Sequence, residues 1–281
     1  FASNTAATDF NSCFFNCDLL EEIPSELFAN NTEAGNFTYC FAQCKRLTAI
    51  PENLFASNTA ATDFSNCFYN CILLGSIPKE LFASNTAATN FSNCFSSCNA
   101  LTTIPESLFA NNTAATNFDQ CFADCIALTT IEARLFANNA NINIIRCFYG
   151  CTALTTISTD LFANNTAIKS FNYCFYDCTA LQTIPEGLFA KNTMATKFSC
   201  CFSGCTQMEL NANIFVDPTA TEEEKLNRFM DKSMNFKYCF QNSTENNTTS
   251  GIAPALWNYE KGSGQWQTEN CFTNCKVSNH A

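Results

Sequence analysis

Residues 1–10 are FASNTAATDF, and the same ten residues return unchanged at 55–64. Close variants begin at six further phenylalanines, Phe28, Phe82, Phe109, Phe136, Phe162 and Phe189. A period of 20 to 50 residues is typical of a solenoid, in which each repeat forms one rung that buries its apolar face against its neighbours. We therefore expect one elongated body in which each rung contacts only the rungs beside it.

The cysteines keep the same period, in two series set four residues apart. The first series is Cys13, Cys40, Cys67, Cys94, Cys121, Cys147, Cys174, Cys201, Cys239 and Cys271. The second is Cys17, Cys44, Cys71, Cys98, Cys125, Cys151, Cys178, Cys205 and Cys275, and Cys200 lies outside both. The spacing is regular as far as Cys205 and looser afterwards. This predicts a regular solenoid over 1–205 and divergent repeats over 206–281 that act as a cap or contact end.

The repeat at residues 90–112 shows the elements expected in every rung. Apolar residues of 91–98 recur at i, i+3, i+4 and i+7, which predicts a short helix. Residues 101–104 form a β-prone run that Pro105 ends by withholding a backbone donor. The predicted fold class is α/β, a solenoid of about ten rungs, each with a short strand and a short helix.

Asparagine holds one fixed place in every turn between rungs. A side-chain amide there can donate to a carbonyl of one rung and accept from an amide of the next, which satisfies backbone groups at the turn. We expect a structural asparagine ladder made of Asn31, Asn58, Asn85, Asn112, Asn139, Asn165 and Asn192.

The frame Phe-x-x-Cys-x-x-Leu-x-x-Ile, seen at 95–104, resembles the leucine-rich repeats of bacterial BspA-like surface proteins and of the Treponema type. The resemblance covers about residues 1–210, and the first cysteine of each repeat, four residues before the one in this frame, departs from the family pattern. Residues 253–257 and 262–264 resemble terminal units of similar gut-bacterial repeat proteins. The resemblance implies a leucine-rich-repeat solenoid in a secreted or cell-surface protein that adheres or scaffolds, and it identifies no ligand.

Three interpretations of the cysteines stay open. Disulfides are favoured, because 20 cysteines in 281 residues fit an oxidising, extracellular setting. They could join cysteines four apart, leaving Cys200 and Cys239 to pair, or join successive rungs from Cys17–Cys40 to Cys178–Cys201. The second interpretation is a ladder of buried free thiols, which behave as small hydrophobes. The third, soft-metal binding, is disfavoured because the one histidine is His280.

Charge and composition narrow the functional classes. The net charge of −11 speaks against nucleic acid and anionic membranes as partners, and no apolar stretch is long enough for a membrane span. The sequence shows no catalytic constellation, so we expect a protein that is not an enzyme and has no cofactor. Because the first residue falls within a repeat, we expect a mature product or a segment of a longer array.

Exposed aromatic side chains are the candidate contact surface. They are Tyr69, Tyr149 and Tyr176 on the rungs, and Trp257 and Trp266 in the divergent end. The favoured function is an extracellular adhesion or interaction scaffold of a microbial cell surface or phage that binds protein or glycan. The alternative is a structural subunit whose copies stack end to end into an extracellular filament, since the first rung has no polar cap.

Overall fold

Successive repeats lie side by side, parallel and in register. The computed structural model describes residues 3–242, 249–260 and 262–277, and the backbone alone for residue 257. Parallel backbone bridges join equivalent positions of consecutive repeats, namely Asp9, Asn36, Asp63, Asn90, Asn117 and Asn143, and then Ser170, Lys197, Asn235 and Gln267. The period seen in the sequence therefore builds a solenoid, as predicted.

Strands occur where the repeat lacks a proline. β1 (Thr130–Ile131) pairs in parallel with β2 (Thr156–Ile157), and β3 (Glu209–Leu210) pairs with β4 (Ser250–Gly251). In the other regular rungs a proline follows the corresponding isoleucine, at Pro24, Pro51, Pro78, Pro105 and Pro185. Proline has no N–H to donate to a neighbouring rung. The prediction of a strand in every rung is therefore wrong. In the rungs with proline, the missing N–H leaves too few backbone hydrogen bonds to the neighbouring rung to form a strand.

The predicted helix of each rung is also wrong. In residues 91–98, the N–H groups of 94, 96 and 98 donate to the carbonyl three residues earlier. Those of 91, 93, 95 and 97 donate instead to carbonyls of the next rung, at 2.7–2.9 Å. We call this segment, the eight residues that end at the second cysteine position of each repeat, the turn ladder. Within the described ranges the α-helices are α1 (Glu222–Asn227) and α2 (Leu256–Tyr259).

Left-handed backbone explains why the segment is not helical. Asn93 has φ of 54° and Ser97 has φ of 60°, and equivalent pairs recur along the solenoid. Such residues cannot continue a right-handed helix. The position just before the second cysteine often holds a residue type that tolerates this conformation, as at Asn16, Asn70, Asp124, Gly150, Asp177, Gly204 and Asn274. Two consecutive turns still point the phenylalanines and cysteines to one side, so apolar spacing alone resembles that of a helix.

Three columns of phenylalanine rings form the core. In the column from Phe14 to Phe272, adjacent rings lie 5.1–5.9 Å apart and within 9° of parallel. A second column starts at Phe10, with Ile144 replacing one ring, and a third starts at Phe28. Burial of each ring stabilises the fold by about 1.5–3 kcal/mol, and each stacked pair of rings adds about 0.5–1.5 kcal/mol.

The asparagines form a buried column beside the phenylalanines. The Nδ2 of Asn112 donates to the carbonyls of Asn85 at 2.8 Å and Phe82 at 3.0 Å. Asn58, Asn85, Asn165 and Asn192 make the same two bonds in their rungs. The predicted hydrogen bond from a backbone N–H to the asparagine Oδ1 is not formed. Within the described residues, the Oδ1 atoms of all seven asparagines have no hydrogen-bond partner. Each asparagine therefore links its rung to the preceding one through its donors.

Arg228 ends this column. The step from Cys201 to Cys239 is 38 residues, and the extra residues contain α1, whose C-cap is Arg228. The buried guanidinium donates to the carbonyls of Asn192 at 3.0 Å, Phe189 at 3.5 Å and Phe215 at 3.2 Å. An asparagine in the next rung would meet the first two carbonyls. Both helices lie within 206–281, and the boundary of that part stays a prediction.

We predict that Asn112→Ala lowers the free energy of unfolding by about 2–4 kcal/mol, since it leaves two buried carbonyls without a donor. The neighbouring Asn111→Ala is the matched control. Asn111 is exposed and makes one bond, to the Ala83 carbonyl at 3.0 Å, so we expect a loss below about 0.5 kcal/mol. Urea unfolding of both variants measures the difference, and equal losses would contradict a structural role for the column.

We predict that Arg228→Met lowers the free energy of unfolding by about 2–4 kcal/mol, because methionine fills the space but donates to none of the carbonyls that the guanidinium bonds. It should also speed amide hydrogen exchange in residues 189–196 selectively. The control is Arg134→Met, which removes an exposed arginine 3.7 Å from Glu106 and should change stability by less than about 1 kcal/mol. Unchanged exchange near residue 192 in Arg228→Met would show that Arg228 does not terminate the column.

Candidate functional site

Tyrosines concentrate on the outer side of the turn ladder. Six of the seven lie there, at the position before the first cysteine or after the phenylalanine that follows it: Tyr39, Tyr69, Tyr149, Tyr173, Tyr176 and Tyr238. All six are exposed or half-buried, whereas Tyr259 is buried in α2. We call these six residues the tyrosine face. Sequence reasoning missed Tyr39, Tyr173 and Tyr238, and their shared place before the first cysteine was the available signal.

The tyrosine face is densest in two adjacent rungs. The rings of Tyr149 and Tyr176 stack at 5.0 Å and 4°, and Tyr173 lies 5.7 Å from Tyr176. The guanidinium of Arg146 lies 5.0 Å from the centre of the Tyr173 ring, a cation–π contact. Of the predicted contact residues, the structure brings Tyr149 and Tyr176 together, and Tyr69 lies three repeats earlier.

Two carboxylates adjoin these rings. Burial raises the pKa of Asp124, and burial and the charge of Asp124 raise the pKa of Asp177. Burial, followed by the charges of Asp177 and Asp124, raises the pKa of the Tyr149 hydroxyl. The pKa of Tyr173 is raised first by a hydrogen bond with Cys200. The site is thus aromatic, acidic and partly shielded from water.

Apart from Cys200, the cysteines lie at the two cysteine positions of the turn ladder, where most of them are buried in the core and Cys13 and Cys17 are exposed. All 20 lie in the described residues, and all are free thiols in the structure. The second-series thiols donate to the carbonyl of a phenylalanine in the preceding rung, at 2.8–3.3 Å, in Cys44, Cys71, Cys98, Cys125, Cys151, Cys178, Cys205 and Cys275. These thiols therefore serve as donors to backbone carbonyls as well as packing in the core.

The structure contains the cysteines as free thiols, most of them buried, and the disulfide interpretation stays a prediction. The pairing of cysteines four apart assumed a helix, and the turn ladder removes that premise. The other pairing, from Cys17–Cys40 onward, is not formed either. Burial raises the pKa of Cys44 to about 11 and of Cys125 to about 12, which disfavours the reactive thiolate.

The remaining predicted residues lie at the C-terminal end. Trp266 packs 5.5 Å from both Phe229 and Phe236, so it covers these two rings of the core rather than standing free. It also lines a cavity of 370 Å³ with Leu256 and Phe272. The side chain of Trp257 and the whole of His280 lie outside the described residues.

In residues 3–242, 249–260 and 262–277, no group of three or more His, Cys, Asp and Glu side chains is arranged to hold a metal ion. Over the same residues, neither helix has the length and apolar character needed to cross a bilayer.

Comparison with known proteins gives distant structural likeness. No protein-family model matches the chain, and no curated protein matches it. Similar solved structures include the Toll–Spatzle complex of Drosophila, at 16% identity over 91% of this chain and 36% of that chain, with a TM-score of 0.40. A leucine-rich repeat protein from Bacteroides ovatus has 17% identity over 91% and 86%, with a TM-score of 0.22. A leucine rich cell surface protein from Faecalibacterium prausnitzii has 17% identity over 92% and 81%, with a TM-score of 0.31.

These likenesses concern the fold alone. The chain spans about a third of the matched chains in the TLR13–ssRNA13 and Toll–Spatzle structures, 30% and 36% respectively. Because these TM-scores are low, the solenoid is identified from the backbone pairing between successive rungs. No partner or activity of this chain follows from the similar structures.

We predict that the protein loses stability steeply in mild alkali. A buried thiol stays protonated in the folded state, while the unfolded thiol releases its proton above about pH 8.5, so the unfolded state binds fewer protons and stability falls as pH rises. Each such thiol contributes a slope of about −1.4 kcal/mol per pH unit, continuing toward the raised pKa values of about 11 for Cys44 and about 12 for Cys125. Urea unfolding from pH 7 to 10 measures the slope.

Removing buried thiols should flatten this slope. Cys94→Ala/Cys121→Ala is expected to reduce it by about 2.8 kcal/mol per pH unit, because burial raises the pKa of both thiols. Two results together would favour the disulfide interpretation. The free energy of unfolding would not change between pH 7 and 10, and fewer than 20 thiols would be alkylated in denaturant without reductant.

Proposed function

We propose that this protein is an interaction scaffold of the leucine-rich-repeat type that binds a macromolecular partner through its tyrosine face. The observation that carries the proposal is the placement of six of the seven tyrosines on one side of the solenoid. The described phenylalanines, by contrast, lie in or against the core, apart from the exposed Phe15. Aromatic side chains are thus divided by type, with the amphipathic ones at the surface.

The physical character of tyrosine supports an interface. Tyrosine offers a large contact area and a hydroxyl at a low cost in side-chain entropy, and it is enriched with arginine at the centres of protein interfaces. On the turn ladder the backbone beneath each ring is held by hydrogen bonds to the adjacent rung. Little ordering is then required when a partner binds, which favours affinity.

An extracellular or cell-surface location, microbial or phage, belongs to the same proposal. The count of 20 cysteines favours an oxidising compartment if they form disulfides, which stays a prediction. Support comes from the acidic, aromatic surface of a rigid repeat scaffold, which suits binding of protein or glycan. End-to-end stacking into a filament stays the alternative prediction, and we assign no residues to it.

We predict that replacing Tyr69, Tyr149, Tyr173 and Tyr176 with serine reduces binding to cell-surface ligands by at least about tenfold. The purified protein is immobilised and probed with a panel of extracellular-matrix proteins and surface polysaccharides by surface plasmon resonance. The matched control replaces Thr103, Thr130, Thr156 and Thr183, exposed or half-buried residues of another side of the rungs, with serine.

The control variant should bind as the unchanged protein does, and thermal unfolding should confirm that both variants fold. Binding that is lost in the threonine variant and kept in the tyrosine variant would place the interface on the other side. Failure of the unchanged protein to bind any member of the panel would count against an adhesion role.

A further inference from the structure

We infer that the densest part of the tyrosine face binds a basic segment of a protein partner, rich in Lys or Arg. The segment would lie across Tyr149, Tyr173 and Tyr176 and pair with Asp124 and Asp177. This inference rests on the proposed function and narrows it, because it names one part of the face and the chemistry of its partner.

The aromatic part of the site is preorganised. Tyr149 and Tyr176 come from equivalent positions of adjacent rungs, so their rings stack almost parallel, at 4° and 5.0 Å. Tyr173 is tilted by 50° to Tyr176 and widens the surface. The equivalent residues in the flanking rungs are Ala123 and Ser203, both small and buried. The three rings therefore stand as one isolated aromatic group rather than as part of a continuous column.

The two carboxylates lack a cationic partner. Neither Asp124 nor Asp177 forms a side-chain hydrogen bond or ion pair within the described residues. Each lies over a glycine of the next rung: a Cβ on Gly150 would collide with the Oδ1 of Asp124, and one on Gly204 would collide with that of Asp177. The glycines make room for half-buried carboxylates whose pKa values burial has raised. A half-buried carboxylate without a partner gains from a cation that approaches it.

The cluster already shows which group its rings accept. The guanidinium of Arg146 lies over Tyr173 at 5.0 Å. Tyrosine rings attract ammonium and guanidinium groups through the negative face of the ring, and carboxylates attract the same groups by charge. Rings and carboxylates together therefore favour Lys and Arg side chains, and the chain's net charge of −11 favours the same partner at longer range.

The spacing favours a peptide segment over a single amine. Asp124 and Asp177 are two rungs apart, about 10 Å at the spacing of about 4.8 Å between parallel strands. A peptide in the polyproline II conformation has three residues per turn and rises about 3.1 Å per residue, so basic residues three positions apart share one face and span about 9 Å. A monovalent small amine would reach one carboxylate and leave the other unpaired.

A synthetic twelve-residue peptide with Lys-Ser-Ser repeated four times is the probe, and its Glu-Ser-Ser counterpart is the negative control. Isothermal titration at 20 mM and 150 mM salt should show binding of the lysine peptide alone, weaker at the higher salt. Asp124→Asn/Asp177→Asn should weaken binding at least about tenfold, and Tyr149→Leu/Tyr176→Leu at least about fivefold. Thermal unfolding checks that each variant folds.

The matched control is Glu52→Gln/Asp160→Asn, which changes the net charge equally at exposed positions outside the turn ladder. It should bind within about twofold of the unchanged protein. An equal loss in this control would show general attraction between opposite net charges and would overturn the inference. Binding of a neutral oligosaccharide, abolished by Tyr149→Leu/Tyr176→Leu while the lysine peptide fails to bind, would overturn it but leave the proposed function standing.

Discussion

In-register stacking is the constraint on which the rest of the structure depends. Every side chain lies beside its counterpart in the next rung, so a residue type is acceptable at a position only if it can stand next to a similar one. Phenylalanine meets this condition by stacking, and asparagine by donating to the preceding rung. Charged groups do not, since like charges side by side repel. In one surface column they alternate with neutral residues: Asp63 accepts from the Nδ2 of Asn90 at 3.1 Å, and Asn90 in turn accepts from Asn117 at 3.0 Å.

The same constraint explains how the regular array ends. Each rung leaves carbonyls for the asparagine of the next, and a solenoid that changes its repeat must satisfy them in another way. Arg228, which lies outside the regular repeat, satisfies these carbonyls instead. Its guanidinium has enough N–H donors to bond the carbonyls of Asn192, Phe189 and Phe215 at the same time. Burial lowers the pKa of Arg228 to about 10, which still leaves it charged at neutral pH. The irregular segment is thus built around the needs of the last regular rung.

The repeat period in the sequence predicts the features that recur in every rung. It does not predict the local backbone conformation within a rung. The solenoid, the inward phenylalanines and the asparagine column follow from spacing alone. The turn ladder could not be separated from a helix on apolar spacing, because Phe91, Cys94, Phe95 and Cys98 share one side in both conformations. The difference lies in left-handed residues such as Asn93 and Ser97, which apolar patterns ignore. In the candidate site, the repeat positions of Tyr149 and Tyr176 predict exposed side chains, and the structure has both half-buried. The contribution of Arg146 and Tyr173 depends on which residues adjacent rungs bring together.

In a repeat protein, we expect a functional site at positions where the residue type differs between rungs and the difference does not destabilise the stacking of the rungs. A core column has little freedom, since one poor neighbour affects the rungs on both sides. At the outer positions of the turn ladder the column runs Ala123, Tyr149, Tyr176, Ser203, and the next column runs Asp124, Gly150, Asp177, Gly204. Glycine beneath each carboxylate removes the steric conflict, and the two acidic residues never occupy adjacent rungs. These departures satisfy the stacking rule while creating a local group of rings and charges that no other part of the described solenoid repeats. That combination is what distinguishes a binding site from the background of a repeat.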